Sequence, residues 1–177
     1  MTNLALGVSG RIGSGKTSLT SVLAERLGWP KASFGDYVRS VAMTRRLDVN
    51  SRSVLQDLGE ELIAEGWEHF CRAVLAHGHY IGGPIVVDGI RHLEAAETMR
   101  VLVAPVQWRL VAVESADDVR LGRLADRGVD PVIAHYADSH PNEAQIINVM
   151  STADFVVSAD SEVSDAADAV IAWIANP

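Results

Sequence analysis

The run Gly10-Arg11-Ile12-Gly13-Ser14-Gly15-Lys16-Thr17 constrains this chain more than any other feature. It is a complete G-x-x-x-x-G-K-[ST] pattern, set between the apolar run 4–9 and a helical pattern over 15–27. Glycines at those spacings let the backbone wrap an anion, so that consecutive N–H groups and the N-terminus of the following helix point at it. The loop therefore needs a strand to launch it and a helix to receive it, which is one β-α unit of an α/β fold. Gly10, Gly13, Ser14, Gly15, Lys16, Thr17 and Ser18 are the residues expected to hold the phosphates of a nucleoside triphosphate. Lys16 would bridge the β- and γ-phosphates, and the Thr17 hydroxyl would coordinate Mg²⁺.

The rest of the chain continues the alternation. Short β-branched runs at 4–9, 31–34, 84–88, 106–113 and 154–158 read as five strands of a mostly parallel sheet. The third, Pro84-Ile85-Val86-Val87-Asp88, is continuously apolar before its final acid and reads as a central strand. Helical patterns fall at about 15–27, 35–46, 51–66, 67–76, 93–103, 116–127, 142–152 and 165–174, with Ser115 read as an N-cap. The stretch 35–83 is long for a simple crossover and reads as a helical acceptor-binding insertion; 120–141 reads as a short lid. The expected architecture is a three-layer α/β P-loop NTPase fold, one domain over 1–177, with a parallel five-stranded sheet.

Composition narrows the function classes. A formal charge of −8 disfavours a general nucleic-acid binder. Lys16 and Lys31 are the only lysines, so any further phosphate contact falls to arginine forks. A single cysteine, Cys71, no basic apolar leader and no apolar run of membrane-spanning length point to a reduced cytoplasmic setting without a membrane partner. An Asn-Lys-x-Asp base reader is missing, which argues against a GTPase switch.

Several side chains are placed to do chemistry beside the loop. Asp88, ending a strongly apolar strand, is the expected second holder of the metal with Thr17. Asp36 follows the second strand, where it would act as base or orienter for an acceptor in the crevice at the strands' carboxyl ends, or as a helix N-cap. Arg39 lies one helical turn later and Arg91 just beyond Asp88, so both can converge on an acceptor phosphate. Arg52 and Gln56, four apart on one helix face, could read a base or sugar. Arg120, Arg123 and Arg127 line one helix face, as phosphate contacts or as a solvated face paired with Asp117, Asp118 or Asp126. His69-x-Cys71 and His77-x-His79 have the wrong spacing for a helical metal site.

Taken in order, these segments resemble the P-loop kinases of small metabolites, particularly nucleoside and deoxynucleoside monophosphate kinases, with dephospho-CoA kinase also similar. The resemblance rests on the loop, on Phe34-Gly35-Asp36-Tyr37-Val38-Arg39, on residues 52–61 with Trp67 beyond, on Val86-Val87-Asp88-Gly89-Ile90-Arg91, on Arg120, Arg123 and Arg127, and on Ala153-Asp154-Phe155-Val156-Val157. It implies an ATP- and Mg²⁺-dependent phosphotransferase acting on a small nucleotide acceptor. Lys16, Asp36, Arg91, Arg123 and Arg127 would then be catalytic, with Arg123 and Arg127 among the lid arginines that close over the phosphates. Dephospho-CoA kinases usually carry Asn in the loop where this chain has Ser158-Ala159-Asp160. A nucleotide-binding regulatory module without turnover is the reading from a different class.

Overall fold

The computed structural model describes residues 3–130 and 141–176. Strand β1 (Leu4–Gly10) runs through the middle of the molecule with every residue buried. Its continuous apolar character is what a strand covered on both faces requires. It feeds α1 (Lys16–Leu27), which stops at Gly28, whose left-handed φ of 65° returns its N–H to the Ala24 and Glu25 carbonyls. Strand β2 (Lys31–Ser33) is followed at once by α2 (Phe34–Thr44), then α3 (Arg52–Ala64) and α4 (Trp67–His77). Strand β3 (Ile85–Asp88), α5 (Leu93–Leu102), β4 (Gln107–Glu114), α6 (Asp117–Asp126), α7 (Pro141–Ser151), β5 (Phe155–Ser158) and α8 (Val163–Ala175) complete the order.

All strand pairs are parallel, in the order β2-β3-β1-β4-β5. This is the three-layer α/β architecture with a parallel five-stranded sheet that the alternation implied. β3 lies inside the sheet, but β1 holds the middle place. On one face, Leu6 and Val8 of β1 pack with Leu19 and Leu23 of α1 and Val170 of α8. On the other, Ala5, Ile85 and Val87 pack against Val38, Leu62, Phe70 and Val74 from the helices after β2, and against Met99 and Val149. The alternating side chains of β1 thus divide between two cores. No helix among the described residues is long and apolar enough to cross a membrane.

Two local expectations shift. Phe34 begins α2 instead of ending β2, because the Ser33 hydroxyl accepts the Asp36 N–H at 3.2 Å and caps the helix one residue early. Asp36 is therefore in the first turn and is not the cap. At α6 the N-cap is Ala116, not Ser115; Asp160 reaches across from the end of β5 to accept the Ala116 N–H at 2.7 Å and the Ser115 hydroxyl at 2.8 Å.

Candidate active site

The carboxyl ends of β1, β2, β3 and β4 meet at one edge, and the loop after β1 is seated there. Ser14 N–H closes a turn on Arg11 O at 3.2 Å. Gly13 and Gly15 take φ of 78° and 91°, a region closed to side-chain-bearing residues without strain. Gly15 is the N-cap of α1 and, having no side chain, cannot cap the first-turn N–H groups itself. Those donors and the helix dipole form an anion site. Lys16 stands half-buried at its base, while Thr17 and Ser18 reach solvent.

Asp88 faces this cradle. In register it lies opposite Val8 of β1 and Ser33 of β2. It is only 4% exposed, and its Oδ1 has no hydrogen-bond partner. Burial pushes its pKa up. The charge of Lys16, a hydrogen bond from Thr17 and the charge of Lys31 pull it down, and the charge of Asp36 again raises it. A buried carboxylate oxygen without a proton donor, beside a threonine hydroxyl and a phosphate loop, fits a hard divalent cation that takes oxygen ligands. Thr17 and Asp88 are the residues that would hold Mg²⁺. The buried hydroxyls of Ser9 and Ser14 at the same end of the sheet also lack partners.

On the β2 and β3 side, Asp36 Oδ1 and Arg39 Nη1 form an exposed pair at 3.3 Å on α2. The turn after β3 is fixed by the Gly89 and Ile90 N–H groups, both donating to Val8 O at 3.1 Å, and it carries exposed Arg91. Lys16, Thr17, Asp88 and Asp36 thus belong to one electrostatic cluster. Arg52 and Gln56 are half-buried on α3, and neither hydrogen-bonds another side chain among the described residues. His92, next to Arg91, stacks obliquely on Trp67 of α4 with ring centroids 5.0 Å apart. Burial lowers its pKa, Arg91 adds to the effect and Glu94 opposes it.

On the β4 and β5 side, the three arginines of α6 separate in role. Arg120, 1% exposed, lies beneath the loop and donates to Ile12 O at 2.7 Å. Arg123 donates to Ser14 O at 3.3 Å, to the Ser115 hydroxyl at 3.4 Å and to Ala159 O. Arg127 is exposed and, with Gly15, Ser18, Arg123, Ala159, Ser161 and Val163, lines a cleft of about 180 Å³. Residues 131–140 of the expected lid lie outside the described residues.

A sequence model described as "AAA domain" matches residues 6–148, which runs from β1 into α7 and includes the loop, Asp36, Asp88 and all three α6 arginines. The chain belongs to the AAA domain family. A UPF0200 protein of Thermococcus kodakarensis is 30% identical over 128 residues, covering 68% of this chain and 66% of that protein, so the match spans just under two thirds of that relative. A cytidylate kinase of Methanothermobacter thermautotrophicus is 26% identical over 124 residues, covering 68% of this chain and 74% of the enzyme. Among solved structures, shikimate kinase from Aquifex aeolicus superposes with a TM-score of 0.62 at 16% identity, over 97% of this chain and 96% of the enzyme. That likeness establishes the fold of this AAA domain as that of a P-loop small-molecule kinase.

Within this AAA domain, the Arg120–Asp117 pair is one that the spacing offered, whereas sequence reasoning missed the Trp67–His92 contact and the backbone partners of Arg120 and Arg123. The first joins α4 to the turn after β3, and no local period links residues 25 apart in the sequence. The second had one usable signal: an arginine three residues after an acid on a helix that follows a strand next to the loop. That pattern also describes an ordinary solvated face.

Proposed function

We propose that this chain is an ATP- and Mg²⁺-dependent phosphotransferase that passes the γ-phosphate of ATP to a nucleoside or deoxynucleoside monophosphate. The observation that carries the proposal is the buried, unpartnered Oδ1 of Asp88 beside Thr17 and Lys16, with the exposed Asp36–Arg39 pair on α2 and exposed Arg91 on the turn after β3. A nucleotide-binding module without turnover has no use for a second charged wall there. The cytidylate kinase relative supports a nucleotide acceptor.

In this reading the loop N–H groups and Lys16 hold the β- and γ-phosphates, and Thr17 and Asp88 would hold Mg²⁺, which would supply neutralisation of phosphate charge. The bond from the γ-phosphorus to its β-bridging oxygen breaks as a bond to the acceptor oxygen forms. A monophosphate oxygen is already anionic near neutral pH, so no proton has to leave it. Asp36 then works by orienting Arg39 and the acceptor, not as an obligatory base. Arg39 and Arg91 grip the acceptor phosphate as charge-assisted forks, Arg52 and Gln56 of the insertion over residues 35–83 face the base or sugar, and Arg127 serves the donor phosphates.

ADP release measured across the common ribo- and deoxyribonucleoside monophosphates tests the proposal, with dephospho-CoA and shikimate as hydroxyl-bearing acceptors. Stimulation by one or a few monophosphates, abolished in Lys16→Ala, is the expected result. Stimulation by dephospho-CoA alone would move the assignment to a hydroxyl acceptor, and ATP binding without stimulation by any acceptor would sink phosphotransfer to these compounds.

A further inference from the structure

Four consecutive residues of the phosphate loop are each held by α6. The Arg11 guanidinium donates to Asp117 Oδ1 at 3.0 Å. Ile12 O accepts from Arg120 Nη1 at 2.7 Å. Gly13 lies so close to the α6 backbone that a Cβ there would come within 2.8 Å of Arg120 O. Ser14 O accepts from Arg123 Nη1 at 3.3 Å. Arg120 is itself held by Asp117 Oδ1, through Nε at 3.2 Å and Nη2 at 2.9 Å. One oxygen of Asp117, a side chain 70% exposed, therefore serves both Arg11 and the buried Arg120.

Peptide planarity gives these contacts a consequence at the phosphates. In a trans peptide the carbonyl of one residue and the N–H of the next point in opposite directions. The peptides after Ile12 and Ser14 are trans, the cis bond of the described chain being Ala104–Pro105. An arginine that holds Ile12 O against α6 turns the Gly13 N–H to the opposite side, and one that holds Ser14 O does the same for Gly15. In the proposed function that side, away from α6, is the one that receives the phosphates. Glycine at both positions leaves φ free to turn either way, so the loop does not fix these planes alone.

We infer that the Asp117–Arg120 pair and Arg123 are positioning residues of the phosphate cradle, acting on the Gly13 and Gly15 N–H groups through the Ile12 and Ser14 carbonyls without touching the nucleotide. The inference rests on the phosphate-binding part of the proposed function and is independent of the acceptor. It makes α6 the element that sets the geometry of the cradle. The same helix reaches the loop after β5 through the Arg123 contact with Ala159 O and the Asp160 contacts with Ser115 and Ala116.

The decisive variant is Asp117→Asn, because charge alone and positioning predict opposite signs. Removing a carboxylate close to an anion site strengthens anion binding by simple electrostatics. Loosening Arg120 and Arg11 weakens it. Binding of inorganic tripolyphosphate with Mg²⁺, and of adenosine, is measured calorimetrically on the full chain, alongside the melting temperature. Asp117→Asn is expected to weaken tripolyphosphate about three- to tenfold, with adenosine and the melting temperature nearly unchanged. Arg120→Lys, which keeps the charge but cannot hold Asp117 and Ile12 O together, is expected to weaken it about tenfold or more. If Arg120→Lys fails to fold, Asp117→Asn alone decides. Unchanged or tighter tripolyphosphate binding in Asp117→Asn would overturn the inference. Absence of tripolyphosphate binding by the wild type would overturn the cradle as well, whereas wild-type binding with no ADP release concerns only the acceptor assignment.

Discussion

Burial raises the proton affinity of Asp88, and Lys16, Thr17 and Lys31 recover only part of the lost solvation of its charge. Between its unfolded and folded pKa values the folded chain holds the extra proton, so stability falls as pH rises through that window and remains lower at neutral pH. Asp88→Asn is accordingly expected to raise the melting temperature of the metal-free protein at pH 7. The difference should shrink toward the acid end of the window, and Mg²⁺-dependent nucleotide binding should be lost. Calorimetry at both pH values checks it, and an Asp88→Asn variant that melts lower than wild type at pH 7 would count against a destabilising carboxylate. Arg91 gives a prediction of a different kind, being exposed on a turn. Arg91→Ala should lower kcat/KM for the monophosphate by about ten- to hundredfold, the scale of one lost charge-assisted contact, with ATP affinity nearly unchanged. Weaker ATP with unaltered acceptor kinetics would move Arg91 to the donor side.

At the scale of elements, the short strand β2 and helix α2 are joined by a single cap, the Ser33 hydroxyl on the Asp36 N–H. Ser33→Ala is expected to cost about 0.5–2 kcal/mol and to release the first turn of α2, which carries Asp36. Thermal melting reports the first effect and acceptor KM the second; an unchanged KM would detach Asp36 from the acceptor. The cap was not legible beforehand, because Ala32-Ser33-Phe34 reads equally well as the end of a strand until the depth of Phe34 in the core is known. The strand ends at β1 and β3 were legible, since each apolar run breaks at a glycine or an acid that the crevice requires. The loop itself was complete in one dimension, as all its donors lie within eight residues. What sequence could not carry was every contact that joins distant segments, such as Asp160 to Ala116, Arg120 to Ile12 and Trp67 to His92. In each, one partner is a backbone group or a ring that leaves no pattern of its own.

For the molecule as a whole, the question is whether the helices of residues 35–83 form a lobe that can melt by itself. The packing argues that they do not. Val38, Leu62, Phe70 and Val74 share a core with Ala5, Ile85 and Val87 of the sheet, so the lobe has no apolar interior separate from the strands. The other face, with Leu19, Leu23 and Val170, packs on the alternate side chains of the same β1. Loss of either face exposes β1, and unfolding should be one cooperative transition. Leu62→Ala on the lobe side and Leu23→Ala on the opposite side, both buried, are each expected to cost about 2–5 kcal/mol. Both should lower the same midpoint, by about 4–20 °C at this chain length. Far-UV circular dichroism and tryptophan fluorescence read the outcome, because Trp67 borders the first core while Trp29 and Trp173 border the second. Coincident curves in wild type and in both variants are expected. A separate early transition in Leu62→Ala, seen in fluorescence before the bulk of the helix signal is lost, would mean that the acceptor lobe is an independent unit and that the two cores are not coupled through β1.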